Sequence, residues 1–123
     1  MNVLVVDGYV DMRRIIRNLL AQIGFADVEE AKDGAEELTK LKGSDYGLVI
    51  SDWNIEPVNG FELLRQMRAD DKFNNTRFIM VTAESKTENV MAAKMAGVDG
   101  YVVKPFNGLI LQQKINSVLS AHK

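Results

Sequence analysis

Val3-Leu4-Val5-Val6-Asp7-Gly8 opens the chain with four aliphatic residues that end on an acid and a glycine. A run this short and apolar throughout is what a strand covered on both faces requires. The period then changes. Met12, Ile15, Ile16, Leu19, Leu20 and Ile23 recur at steps of three and four, Arg13, Arg14 and Arg17 fall on the other face, and Gly24 ends the segment. A buried strand passing directly into an amphipathic helix predicts an α/β domain with a parallel sheet.

The alternation repeats outward from there. Leu48-Val49-Ile50, Phe78-Ile79-Met80-Val81 and Tyr101-Val102-Val103 read as further covered strands, whereas the mixed polarity of Val28-Glu29-Glu30-Ala31 suits an exposed edge. A second helix is expected from Asp33, with Glu36 three places on, and a third from Asn59, with Glu62; each pair reads as an N-cap and a back-reaching acid. A fourth is expected from about Glu84 to Ala96, stopped by Gly97, and a fifth from near Asn107, with Leu111, Ile115, Val118 and Leu119 inward. The length, 123 residues, allows five units of about 25 residues each, enough for one strand and one helix apiece. A single domain over residues 1–123, with one core, no linker and no output domain, is the expectation.

Composition excludes several classes. Hydrophobic residues at 46% and charged residues at 26% argue against both a disordered tail and a membrane protein. No apolar run approaches the ~20 residues that a bilayer requires. There is no basic-then-apolar leader, and the absence of cysteine removes disulfide and thiolate-metal scaffolds, so a cytoplasmic protein is expected. Lys plus Arg is 15 against 17 for Asp plus Glu, a net charge of -2, which argues against broad binding to nucleic acid or anionic membrane.

In an open parallel sheet, ligands bind beyond the carboxyl ends of the strands, where strand order reverses. Those ends read Asp7-Gly8, Ser51-Asp52-Trp53-Asn54, Thr82-Ala83-Glu84 and Lys104-Pro105-Phe106. Taken alone, an Asp after a strand is commonly a turn former or helix cap. As a set, two carboxylates, a hydroxyl and an ammonium converge on one rim. Two carboxylates with no Cys or His among them suit Mg²⁺, which binds by one or two carboxylates and keeps several waters. A lysine and a threonine beside them supply the charge compensation and hydrogen-bond donor that a phosphoryl group needs.

With these residues in place, the chain resembles the receiver domains of two-component response regulators, and among them the stand-alone chemotaxis regulators. The resemblance rests on Met12-Arg13-Arg14-Ile15-Ile16-Arg17, Asp52-Trp53-Asn54, Val81-Thr82-Ala83-Glu84 and Gly100-Tyr101-Val102-Val103-Lys104-Pro105-Phe106, in that order and spacing. It implies a doubly wound five-stranded parallel sheet of order 2-1-3-4-5 with helices on both faces, the flavodoxin-like arrangement. It implies that Asp52 takes a phosphoryl group from a sensor histidine kinase, with no enzymatic activity beyond self-phosphorylation and self-dephosphorylation. Asp7, Asp52 and the backbone carbonyl of Asn54 match the Mg²⁺ ligands. Lys104 matches the lysine that pairs with the phosphoryl oxygens, and its bond to Pro105 is typically cis in the family. Thr82 and Tyr101 match the switch pair: the hydroxyl moves toward the new phosphate and the ring swings inward. Tyr101 and Lys114 match the partner-binding surface of the fourth helix, fifth strand and fifth helix, which would face an output protein such as a flagellar motor switch component. A monomer is expected.

Two departures from the family pattern stand out. Its second acid after strand one is absent, the chain reading Asp7-Gly8, which should weaken Mg²⁺ binding. The loop after Asp52 reads Ile55-Glu56-Pro57-Val58-Asn59-Gly60, with the proline one place late and Glu56 as an extra acid. Glu56, and Asp11 in the first turn of helix one, are candidate replacement ligands; otherwise Glu56 is simply exposed and Asp11 favours the positive end of its helix.

Gly8 keeps a second function open, a receiver-fold adaptor that binds partners without phosphorylation. A phosphohydrolase is disfavoured because Tyr9 stands two places after Asp7, where such enzymes of this topology commonly carry a second aspartate. A dinucleotide protein is disfavoured because no Gly-rich phosphate loop follows strand one.

Overall fold

A computed structural model of the chain describes residues 1–120. Strands and helices alternate as β1 (Val3–Val6), α1 (Val10–Gln22), β2 (Val28–Ala31), α2 (Gly34–Gly43), β3 (Leu48–Ser51), α3 (Gly60–Arg68), β4 (Arg77–Thr82), α4 (Thr87–Met95), β5 (Gly100–Val103) and α5 (Gly108–Ser120). The strand order is β2-β1-β3-β4-β5 and every neighbouring pair is parallel. This is the flavodoxin-like arrangement, with β2 at one edge and β5 at the other, so β5, expected to be covered on both faces, leaves Val103 exposed. Strand order reverses at β1, so the crevice opens beyond the ends of β1 and β3.

Successive side chains of a strand point to opposite faces, which splits the core in two. Val3, Val5, Leu48, Ile50, Ile79 and Val81 pack with Ile16 and Leu20 of α1 and with Leu111, Ile115 and Val118 of α5. On the other face Leu4, Val6, Val49, Phe78 and Met80 pack with Leu41 of α2 and with Leu63, Leu64 and Met67 of α3. Full burial of one such leucine contributes about 1.5–3 kcal/mol.

The helix starts follow local chemistry, with corrections. Asp33 and Asn59 each accept a hydrogen bond from the backbone N–H three residues on, both at 2.8 Å. The returning acids differ from the expected box: Glu36 accepts from the N–H of Lys32, one residue before the cap, and Glu62 turns outward to Arg65. Asn107 caps α5 through the Ile110 N–H at 2.8 Å. Helix α4 begins at Thr87 rather than Glu84, because the Glu84 carboxylate accepts from the Lys86 N–H and the Asn89 amide and so is held in the loop ahead of the helix. Gly24 and Gly97 follow α1 and α4 with φ of 101° and 100°. Ile15, expected inward, is 51% exposed. Ile16 and Leu20 are the buried residues of α1, with Met12, Leu19 and Ile23 packed partly against them, and Ile15 falls outside that set. Both X-Pro bonds, Glu56–Pro57 and Lys104–Pro105, are cis. No helix among the described residues is long and apolar enough to cross a membrane.

Gly60 holds the site loop against β3. Its N–H donates to the Trp53 carbonyl at 2.9 Å, and a Cβ built on it would collide with the Asp52 carbonyl. Backbone cannot swing away as a side-chain tip can. Gly60→Ala is therefore expected to lower stability by about 2 kcal/mol, with Trp53 emission shifted because the indole stacks on Phe61. Urea unfolding checks this; an unchanged midpoint and emission would contradict the close approach.

Candidate functional site

Sheet hydrogen bonding sets the two acids side by side. The Asp7 N–H donates to the Ala31 carbonyl at 3.2 Å and the Asp52 N–H to the Val6 carbonyl at 3.0 Å, so Asp7 ends β1 just where Asp52 leaves β3. Lys104 follows β5, its N–H donating to the Thr82 carbonyl at 2.8 Å. From there Nζ donates to Asp7 Oδ2 at 2.7 Å and to Asp52 Oδ2 at 3.0 Å. The other carboxylate oxygens accept from backbone two residues on: Asp7 Oδ1 from the Tyr9 N–H at 2.9 Å, Asp52 Oδ1 from the Asn54 N–H at 3.1 Å. Asp7 is 1% and Asp52 5% exposed. Buried charges persist only when paired and hydrogen-bonded, and these are. Burial disfavours the ammonium of Lys104, but its bonds to Asp7 and Asp52 outweigh that and hold its pKa above the ordinary 10.5.

Thr82 and Tyr101 clasp the loop between β4 and α4 at one residue. The buried Thr82 Oγ1 accepts from the Glu84 N–H at 3.2 Å, while the Tyr101 hydroxyl donates to the Glu84 carbonyl at 2.7 Å. The Tyr101 ring is half-buried against the α2 and α3 side of the core. Desolvation first, then the charges of Glu84 and Asp52, pushes its phenol up to about 12. Lys114 lines a groove with Val90, Lys94, Tyr101 and Val103.

Gly8 is exposed, and a Cβ there would meet only the Lys32 carbonyl oxygen, at 3.8 Å. The position thus has room for a side chain, and sterics do not dictate the missing acid. Asp11 is exposed and pairs with Arg14 at 3.3 Å; Glu56 is exposed on its loop. Among the described residues no group of three His, Cys, Asp or Glu side chains comes together. Asp7 and Asp52 are nonetheless hard oxygen donors close enough to share one ammonium, and the open space at Gly8 admits water. That donor set fits Mg²⁺, which needs few protein carboxylates. With Lys104 the cluster carries a formal charge of only -1, a shallow attraction for a divalent cation.

Two residues of consequence were not legible as such. Arg13 lies on the polar face of α1 by period, yet its Nη1 donates to the Asp7 carbonyl at 2.7 Å and its Nε to Glu30 at 2.8 Å. Glu37 of α2 is fully buried. The one available signal for Arg13 was an acid, Glu30, on the edge strand beside β1.

Residues 3–116 match the response regulator receiver domain family. The chain is 42% identical over 118 residues to chemotaxis protein CheY-3 of Vibrio cholerae serotype O1, covering 96% of this chain and 91% of that protein. It is likewise 42% identical to chemotaxis protein CheY of Pseudomonas aeruginosa, over 96% of this chain and 95% of the relative. The solved structure of chemotaxis response regulator CheY4 of Vibrio cholerae superposes with a TM-score of 0.87 at 32% identity, over 95% of this chain and 97% of that one. The match over nearly the whole chain, with the paired acids and lysine meeting at the sheet's topological switch point, places this chain in the response regulator receiver domain family of two-component signalling, as a CheY-like member.

Proposed function

We propose that the protein is a single-domain, chemotaxis-type response regulator that accepts a phosphoryl group on Asp52 from a sensor histidine kinase. One observation carries this reading: the Asp52 carboxylate, Asp7 and Lys104 form a single hydrogen-bonded cluster at the mouth of the switch point. An Asp52 carboxylate oxygen attacks phosphorus, forming the acyl phosphate, while the bond from phosphorus to the donor breaks and the donor leaves with the electron pair. Lys104 compensates charge on the phosphoryl oxygens, and the Thr82 hydroxyl turns to donate to one of them. Asp7, Asp52 and the Asn54 carbonyl would hold Mg²⁺, which would supply positive charge to offset the phosphoryl oxygens and the acids; Gly8 in place of an acid would lower its affinity.

Phosphorylation adds about −1.5 to −2 charges and three acceptor oxygens. As Thr82 turns to them it gives up the Glu84 N–H, and Tyr101, bonded to the Glu84 carbonyl, responds through the same residue. The changed surface is the one formed by α4, β5 and α5, where Tyr101 and Lys114 line a groove for a protein partner, such as a flagellar motor switch component. The regulator works as a cytoplasmic monomer.

Incubation with acetyl phosphate and Mg²⁺ is expected to add one phosphoryl mass to the wild type and none to Asp52→Asn. A wild-type spectrum without that addition overturns the reading. The open position at Gly8 favours one alternative, a phosphorylation-independent adaptor, whose partner binding would be indifferent to Mg²⁺, phosphodonor and Asp52→Asn.

A further inference from the structure

We infer that Arg13, fixed in place by Glu30, is the positioning residue that aims the Asp7 carboxylate into the site. The inference rests on the reading of Asp7 as a cation ligand. Asp7 leads into a turn whose next residue, Gly8, has no side chain to fasten it and more backbone freedom than any other residue type. The Asp7 carboxylate is held by the Tyr9 N–H and by Lys104, which leaves the main chain at the turn as the part still to be fixed.

The guanidinium of Arg13 does this from two sides. Its Nη1 donates to the Asp7 carbonyl at 2.7 Å, and its Nε donates to Glu30 Oε1 at 2.8 Å. Glu30 is itself held, because Arg17 Nη1 donates to Oε2 at 2.7 Å. It stands opposite Val5 in the β1–β2 register, so the clamp is anchored in the sheet. The Arg13 side chain is only 15% exposed, shielding these bonds from solvent. Arg13 thus holds the Asp7 main chain, and the carboxylate carried on it bonds to the Tyr9 N–H and to Lys104, which Asp52 shares. The bond to Arg17, then that to Arg13, holds the Glu30 carboxyl below the usual range against the cost of burial, so Glu30 keeps its charge at neutral pH.

A group that orients a metal ligand typically carries a ~10–100-fold effect on metal affinity. Lysine cannot replace this guanidinium, because a single ammonium lacks the planar fork that reaches two partners in fixed directions. The test is a Mg²⁺ titration followed by Trp53 emission, for wild type, Arg13→Ala, Arg13→Lys and Arg17→Ala, with phosphoryl uptake from acetyl phosphate measured by mass on the same samples. The half-saturating Mg²⁺ concentration is expected to rise roughly tenfold in both Arg13 variants and to change little in Arg17→Ala. Arg17→Ala also removes a cation from Glu30 but leaves the bond to Asp7, so a merely structural or long-range charge role would move both sites alike. Arg13 variants within about twofold of wild type, or an Arg17→Ala shift as large as theirs, overturn the inference. A wild type without a saturable Mg²⁺ response also overturns it. The mass measurement decides separately whether Asp52 still takes up phosphate.

Discussion

Lys104→Met is expected to cost about 3 kcal/mol of folding stability at neutral pH, the order seen when one partner of a buried ion pair is removed. The methionine keeps the length of the side chain but brings no charge and no donor. Asp7 Oδ2 and Asp52 Oδ2 then lose their shared partner while both carboxylates stay almost fully buried. The pH window follows from the raised lysine pKa. Stability from Lys104 is fully present below its ordinary 10.5 and is lost as pH rises through the higher folded value, so the whole effect is visible at pH 7. Adding Asp52→Asn to Lys104→Met removes one stranded charge and should recover part of the loss. Urea midpoints at unchanged slope measure both steps. A single variant as stable as wild type would show that the two acids do not depend on this ammonium.

Glu37→Met is expected to act in the opposite direction, raising stability by about 1–3 kcal/mol at pH 8. Gly34, Glu37 and Leu41 form the buried stripe of α2, and neither carboxyl oxygen of Glu37 meets a hydrogen-bond partner among the described residues. Burial alone pushes its pKa well above the ordinary 4.5. Stability is thus fully present below that value, where the carboxyl is neutral in both states, and is lost as pH rises toward the folded value. Over that window the wild type should lose up to about 1.4 kcal/mol per pH unit, a slope that the methionine variant lacks. The two stability curves should therefore lie closer together at pH 4 than at pH 8. Parallel curves, or a less stable variant at pH 8, would contradict this account.

Local patterns carried much of the fold. The covered strands β1, β3 and β4, the mixed-polarity edge strand β2 and the caps at Asp33 and Asn59 each depend on residues within about four positions, so local pattern exposes them. By contrast, β5 reads as covered by composition but lies at the other sheet edge with Val103 41% exposed. Where a side chain had to choose between local and distant partners, the pattern misled. Glu84 reads as a helix start by composition, yet it binds the loop ahead of α4 and anchors Tyr101 through its carbonyl. Arg13 obeys the helical period in where its Cα sits, but its long stem lets the guanidinium leave the polar face for Asp7 and Glu30.

By itself the sequence determined the alternation of strands and helices, and it put an acid, an acid, a hydroxyl and an ammonium at four strand ends. It also showed the gap at Gly8. Only the tertiary structure decided that Lys104 bonds to Asp7, 97 positions away, that Arg13 secures the turn beside Gly8, and that Glu37 is sealed in the core without a hydrogen-bond partner among the described residues. The reason is physical. Secondary structure follows from the spacing of neighbours along the chain, whereas the worth of a charge depends on what surrounds it once the sheet has closed, and no local pattern records that environment.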